Sequence, residues 1–194
     1  MIAFSERGEY FLDQCRQFHQ AGHKNWTGKP VLQHLKQIRS LVEQTGAKTA
    51  LDYGCGKGRQ FTWPLPLEPE AAPGFKAGEF FAQYIGIPII GYDPCVPEYA
   101  EKPTDRFDLV LCANVLGLVP DGDLPAVIDE VFAFSKKAVF VQLRMTPPTK
   151  PGKHLPDGSN GPSGNRDVEF WRRMLKPRRG RKLMLIIEGQ EYRA

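Results

Sequence analysis

Thr49-Ala-Leu-Asp-Tyr-Gly-Cys-Gly-Lys-Gly-Arg59 begins as a short apolar strand, gains a carboxylate at Asp52, and breaks into a loop with glycine at 54, 56 and 58. Alternate glycines after a strand let the backbone turn sharply and come close to a ligand, because no Cβ intervenes. Further on, Ile89-Ile-Gly-Tyr-Asp-Pro94 puts a second carboxylate, Asp93, at the end of another apolar strand. From that position an acidic side chain reaches ribose hydroxyls in nucleotide-type sites. In a third run, Phe107-Asp-Leu-Val-Leu-Cys-Ala-Asn114, the residues Phe107 to Leu111 read as a strand buried on both faces.

Upstream, Phe11, Cys15 and Phe18 fall at helical spacing and predict a helix from about Ser5 to Gln20. Pro30 opens a second helix with Val31, Leu35, Ile38 and Val42 on one face, and Gly46 is placed to end it. After the glycine loop only a short helix fits, Lys57 to Phe61, because Trp63-Pro-Leu-Pro-Leu-Glu-Pro-Glu-Ala-Ala-Pro73 cannot continue one. A short helix from Glu79 to Tyr84 leads to the strand Pro88 to Tyr92. Cys95 to Arg106 has room for a turn and a short third strand only. Asp121-Gly-Asp123 supplies cap residues for a helix from Leu124 to Ser135, followed by a strand from Ala138 to Leu143.

The long segment from Met145 to Arg166 is crowded with proline and glycine, which marks a binding loop or disorder. Asp167 caps a helix from Val168 to Lys176, Lys182 to Glu188 is a last strand, and little remains for another. Alternation of strand and helix predicts an α/β fold, a Rossmann-like, mostly parallel sheet with helices on both faces. Its third-strand edge is reduced and its C-terminal hairpin truncated. One domain is expected: N-terminal helices in 1–46, a core in 47–143, and loop, helix and last strand in 144–194.

Hydrophobic content of 41% and charged content of 25% over 194 residues suit one soluble globular domain with a real core. No apolar run approaches a membrane span and the N-terminus lacks signal-peptide character, so a cytoplasmic protein is expected. The cysteines at 15, 55, 95 and 112 have no C-x-x-C spacing and no histidine pairs nearby, which predicts reduced thiols and no metal site. Cys55, Cys95 and Cys112 each follow a predicted parallel strand, so all three are expected near one crevice.

Asp52-Tyr-Gly-Cys-Gly-Lys-Gly58, taken with Asp93 and the Phe107 to Asn114 strand, resembles the first motif and core of the class I S-adenosylmethionine-dependent methyltransferases. The resemblance covers roughly residues 48 to 143 and is closest to small methyltransferases of bacteriophage and bacterial genomes. It implies S-adenosyl-L-methionine as cofactor. Asp52, Tyr53, Gly54, Cys55 and Gly56 would line its amino-acid and ribose portions. Asp93 would accept from both ribose hydroxyls, Pro94 would touch adenine, and Ala113 and Asn114 would flank the methionine moiety. An NAD-dependent oxidoreductase is the near rival, but its G-x-G-x-x-G places the third glycine one residue later.

Asparagine or aspartate followed by Pro-Pro-aromatic, the mark of adenine- and glutamine-directed relatives, is replaced here by Asn114-Val-Leu-Gly117. Other relatives carry an acid and then Val-Leu-Glu-His; Asn114-Val-Leu-Gly-Leu118 keeps only the apolar middle, which opens the alternative of a non-catalytic cofactor- or partner-binding domain. Candidate groups for deprotonating an acceptor are His154, Asp157 and Lys24, and the loop of His23, Lys24 and Trp26 is a candidate cover for the site. A small-molecule acceptor is preferred. The alternative is RNA or DNA gripped through Arg172, Arg173, Lys176, Arg178, Arg179 and Arg181, in a basic stretch that also holds Arg166.

Overall fold

The computed structural model describes residues 3–21, 26–62, 80–144, 166–176, 180–187 and the backbone of 190–193. Helix α1 (Glu6–Gln20) starts at Ser5, whose side chain accepts from the Gly8 N–H. The second predicted helix divides: Lys29–His34 is 3₁₀ and α2 runs Leu35–Thr45. Pro30 near the start supplies no N–H, and the tighter turn is common at a helix entry. Gly46 ends α2 in the left-handed conformation at φ 58.

Strand β1 (Ala50–Tyr53) feeds the glycine loop, followed by the single turn α3 (Arg59–Thr62). Then come α4 (Phe81–Ile85), β2 (Ile89–Tyr92), β3 (Phe107–Ala113), α5 (Leu124–Phe134), β4 (Ser135–Leu143), α6 (Val168–Met174), β5 (Lys182–Ile187) and β6 (Gln190–Arg193). The sheet order is β2-β1-β3-β4-β5-β6. The first five strands are parallel and β6 closes the edge antiparallel to β5.

Side-chain alternation along each strand builds two cores. Leu51, Val110, Cys112, Val139, Val141, Leu183 and Leu185 face α5 and α6, where Val127, Ile128, Val131 and Trp171 cover them. Ala50, Leu109, Leu111, Ala138, Phe140, Met184 and Ile186 face α2 and α4, under Ile38, Leu41, Phe81 and Ile85. Each large aliphatic side chain removed from water in this way contributes about 1.5–3 kcal/mol. Helices therefore lie on both faces, as a parallel sheet requires. No described helix is long and apolar enough to cross a membrane.

Three local expectations need correction. Between Asp93 and Phe107 the chain forms a turn and the 3₁₀ helix Pro97–Tyr99 rather than a short third strand. The Asp93 N–H donates back to the Tyr99 carbonyl at 2.9 Å, so the chain doubles over and the sheet stops at β2. At the other edge the correction is only that a last strand does form: four residues make β6, and with β5 they give the truncated hairpin that was expected. Asp123 precedes α5 but caps nothing: its carboxylate accepts from the Ser5 N–H at 2.8 Å and the Ser5 hydroxyl at 2.7 Å, joining the two helix starts across 118 residues.

Candidate active site at the carboxyl ends of β1, β2 and β3

Strand order reverses at β1, which has β2 on one side and β3 on the other. Loops leaving adjacent parallel strands part there and open a crevice at their carboxyl ends. The glycine loop, Asp93 and Asn114 all converge on it.

The glycine loop is fitted as tightly to the protein as to any ligand. A Cβ at Gly54 would lie 2.1 Å from Val115 Cγ2, and one at Gly56 would lie 2.3 Å from the Trp26 carbonyl oxygen. Both glycines have positive φ, 77 and 58. Residues 26–28 run directly over the loop. The Trp26 carbonyl accepts from the Lys57 N–H at 3.1 Å, and the Thr27 carbonyl accepts from the Arg59 N–H at 3.0 Å. The Trp26 ring packs 4.2 Å from Phe18 and 5.5 Å from His19, so the end of α1 roofs the loop. Trp26 thus lies where the covering reading placed it; His23 and Lys24 fall outside the described residues.

Asp93 is buried, and its two oxygens accept from the N–H groups of Gly56 and Cys95, each at 2.9 Å. Each carboxylate oxygen keeps a further lone pair for a ligand hydroxyl. Burial raises the Asp93 pKa, opposed by the two amides and by nearby His19. Asp52, pointing to the opposite sheet face from Tyr53, is 2% exposed and is met by Gln60, whose Nε2 donates to it at 2.8 Å. Desolvation lifts its pKa to about 7, with a smaller push from Asp93. Among the described residues this carboxylate is held only by a neutral amide, which leaves it incomplete as a charge site.

Asn114 follows β3 in the left-handed region at φ 60, uncommon for a residue with a side chain. Its N–H donates to the Gln142 carbonyl at 2.8 Å, while its Oδ1 is buried with no partner among the described residues. His19 Nδ1 is likewise buried and unpartnered. Burial lowers the His19 pKa, Asp93 opposes that, and Lys57 adds to it.

Four other sequence-predicted residues take lesser places. Tyr53 points into the α5 layer, 5.4 Å from the Tyr92 ring, with its hydroxyl on Glu130; only its backbone lies at the crevice. Cys55 is buried beneath the loop, its thiol on the Gly56 carbonyl at 3.5 Å. Pro94 and Ala113 are half-buried beside Asp93 and Asn114. Cys95 sits beside Asp93, its thiol 3.6 Å from the Leu12 carbonyl of α1. Cys112 corrects the expected cluster: β3 runs on to Ala113, so Cys112 lies within the strand and packs into the α5 core.

The basic stretch divides. Arg166 is 7% exposed and latches the segment after Asn114, donating to Asp121 Oδ1 at 2.6 Å, to the Leu116 carbonyl at 3.0 Å and to the Val119 carbonyl at 2.6 Å. Arg181 instead donates to the Ser135 carbonyl at 2.8 Å, at the amino end of β4. Arg172, Arg173 and Lys176 are exposed on the way from α6 to that same end. His154, Asp157, Arg178 and Arg179 lie outside the described residues.

Sequence reasoning missed His19, Gln60 and the latch role of Arg166. His19 follows Phe18 on a helix with no motif around it, and Gln60 has no signal beyond its place one turn past the glycines. The cofactor that the motif implies fits these residues. Asp93 offers free lone pairs for hydroxyls, and Asp52 with the orphaned Asn114 Oδ1 offers acceptors for an ammonium. A family model described as methyltransferase domain matches residues 16–182. Comparison with curated proteins and with solved structures returned no match. By that match, and by a parallel sheet with an acid and glycine loop after β1 and a second acid after β2, the chain belongs to the methyltransferase domain family, with class I architecture.

Proposed function

We propose that this chain transfers a methyl group from S-adenosyl-L-methionine to a small-molecule acceptor. Asp52 carries the reading: a buried carboxylate with a pKa raised to about 7, with only a neutral amide beside it among the described residues, is completed by a cation. The ammonium of the cofactor's amino-acid portion supplies one, with Asn114 Oδ1 as a second acceptor. Asp93 would hold the ribose hydroxyls under the roof of His19 and Trp26. The cofactor brings its own leaving group and its own positive charge. The protein's work is therefore to orient an acceptor, exclude water and take up a proton.

A small molecule is preferred to RNA or DNA because two residues of the basic stretch are already engaged, Arg181 at the amino end of β4 and Arg166 on the segment after Asn114. The competing reading is a domain that binds the cofactor without using it, favoured by Asn114-Val-Leu-Gly-Leu118, which carries none of the acid, Glu or His of active relatives. Labelled methyl transfer separates them. Label from S-adenosylmethionine should enter small molecules of a cell extract and not its RNA or DNA. Label in nucleic acid would overturn the acceptor class, and binding without any transfer would favour the non-catalytic reading.

A further inference from the structure

Among the buried polar atoms with no hydrogen-bond partner in the described residues, two lie on one sheet face outside the residues of the cofactor cradle. His34, the last residue of the 3₁₀ helix, is 9% exposed and its ring stacks 5.7 Å from Phe140 of β4. Its Nε2 is buried with no hydrogen-bond partner among the described residues. Gln142 follows Phe140 by two residues, so it emerges on the same face; it is 8% exposed and its Oε1 is also unpartnered. Leaving such atoms without partners costs stability, and a ligand that supplies the partners recovers it.

The register puts this pair beside the cradle. Phe140 pairs with Leu111, and Leu111 pairs with Asp52. Asp52 and Phe140 are therefore level on the sheet, two strand spacings or about 10 Å apart. Gln142 pairs with Ala113, next to Asn114 at the rim of the crevice. The 3₁₀ helix that carries His34 begins at Gly28, which rests on Gln60 and the Cys55 carbonyl of the glycine loop.

We propose that His34 Nε2 and Gln142 Oε1 form the acceptor subsite, which takes a neutral hydroxyl or amino group and in which His34 receives its proton. This deepens the reading of the chain as a methyltransferase and rests on it. The amide oxygen and the unprotonated ring nitrogen both accept, so an amino group offers one N–H to each, a hydroxyl gives its single O–H to His34 Nε2, and a carboxylate has nothing to offer. Transfer balances without another reactant. The acceptor's oxygen or nitrogen bonds to the methyl carbon, the methyl–sulfur bond breaks with its electron pair left on sulfur, and the displaced proton goes to Nε2. The surroundings keep the imidazole neutral and able to accept. Burial lowers its pKa, and no charged group contributes to that shift. Its ring stacks on Phe140, which shares a core layer with Leu111, Met184 and Ile186 of the sheet, Leu35 and Ile38 of α2 and Tyr84 of α4; Lys29 begins its own helix, and Asp52 lies level with Phe140 on the same sheet face.

Phenol, aniline and benzoate keep one ring and change only the functional group, so they test the subsite directly. The full chain is titrated with each while the His34 imidazole resonances are followed by NMR, and S-adenosylhomocysteine is titrated separately. Phenol and aniline should shift His34 saturably and benzoate should not. Gln142→Leu should weaken aniline about tenfold, because its second N–H loses an acceptor, and leave the affinities of phenol and S-adenosylhomocysteine unchanged. An equal response to benzoate, or a His34 that no probe moves because it bonds Gln142 internally, overturns the proposal. The wild-type titration needs no variant to fold. Failure of S-adenosylhomocysteine alone defeats the cofactor reading, and failure of phenol alone defeats the subsite.

Discussion

The two ends of the parallel sheet treat buried polar groups in opposite ways. At the amino ends, Asp108 accepts from the Lys48 N–H at 2.8 Å and pairs with Lys137 at 3.2 Å. The Ser135 carbonyl there receives both Arg106 and Arg181, each at 2.8 Å, and Lys137 also reaches the Gly46 carbonyl at 2.7 Å. At the carboxyl ends, Asp52 has no cation, and Asn114 Oδ1, Gln142 Oε1, His34 Nε2 and His19 Nδ1 have no partner among the described residues. One end is finished by the protein itself. On the proposed reading the other is left for a ligand to finish, since buried polar groups otherwise find partners almost without exception.

The same Asp-to-Asn change should therefore have opposite signs at the two ends. The Asp52 pKa in the folded protein, about 7, is raised from an ordinary 3.8. The native state then binds more protons than the unfolded one, so this residue's contribution to stability is lost as pH rises across that window. Asp52→Asn should stabilise the ligand-free protein at pH 8 by about 2–4 kcal/mol and change little at pH 4, read from urea unfolding at both pH values. Equal stability at pH 8 would mean that Asp52 already has a compensating partner.

A smaller effect of opposite sign is expected from Asp108→Asn. Burial pushes the Asp108 pKa up, but the Lys48 N–H and Lys137 outweigh it, and the net direction is down. Its contribution is present above the ordinary carboxylate range and is lost as pH falls below it. The change should cost about 1 kcal/mol at pH 7 by the same unfolding measurement, because the ion pair is partly exposed. Smallest of all, Arg172→Ala with Arg173→Ala should alter stability by less than about 0.5 kcal/mol and leave S-adenosylhomocysteine affinity unchanged. A clear loss of affinity in that pair would break the separation of the two ends.

Much of this division was legible in the sequence and part was not. Asp52 with its glycines, Asp93 after a second apolar strand, and the apolar runs of β3 and β4 carry the fold because chain-local patterns encode them. Asp123 was misread as a cap because its partner, Ser5, is 118 residues away. Arg166 read as one more surface charge, yet it is buried against Leu116, Val119 and Asp121. His34 and Gln142 carry no motif, since a single polar residue on an apolar face becomes informative only when its neighbours across the sheet are known.

The central claim is that Asp52 awaits a cation, and calorimetric titration of S-adenosylhomocysteine between pH 6 and pH 8 tests it most directly. Wild-type affinity should fall about tenfold as pH drops one unit below the Asp52 pKa, because the protonated acid no longer holds the ammonium. Asp52→Asn should bind weakly and without that dependence. Wild-type affinity that ignores pH across this range, or an Asp52→Asn variant that binds as well as wild type, would contradict the account.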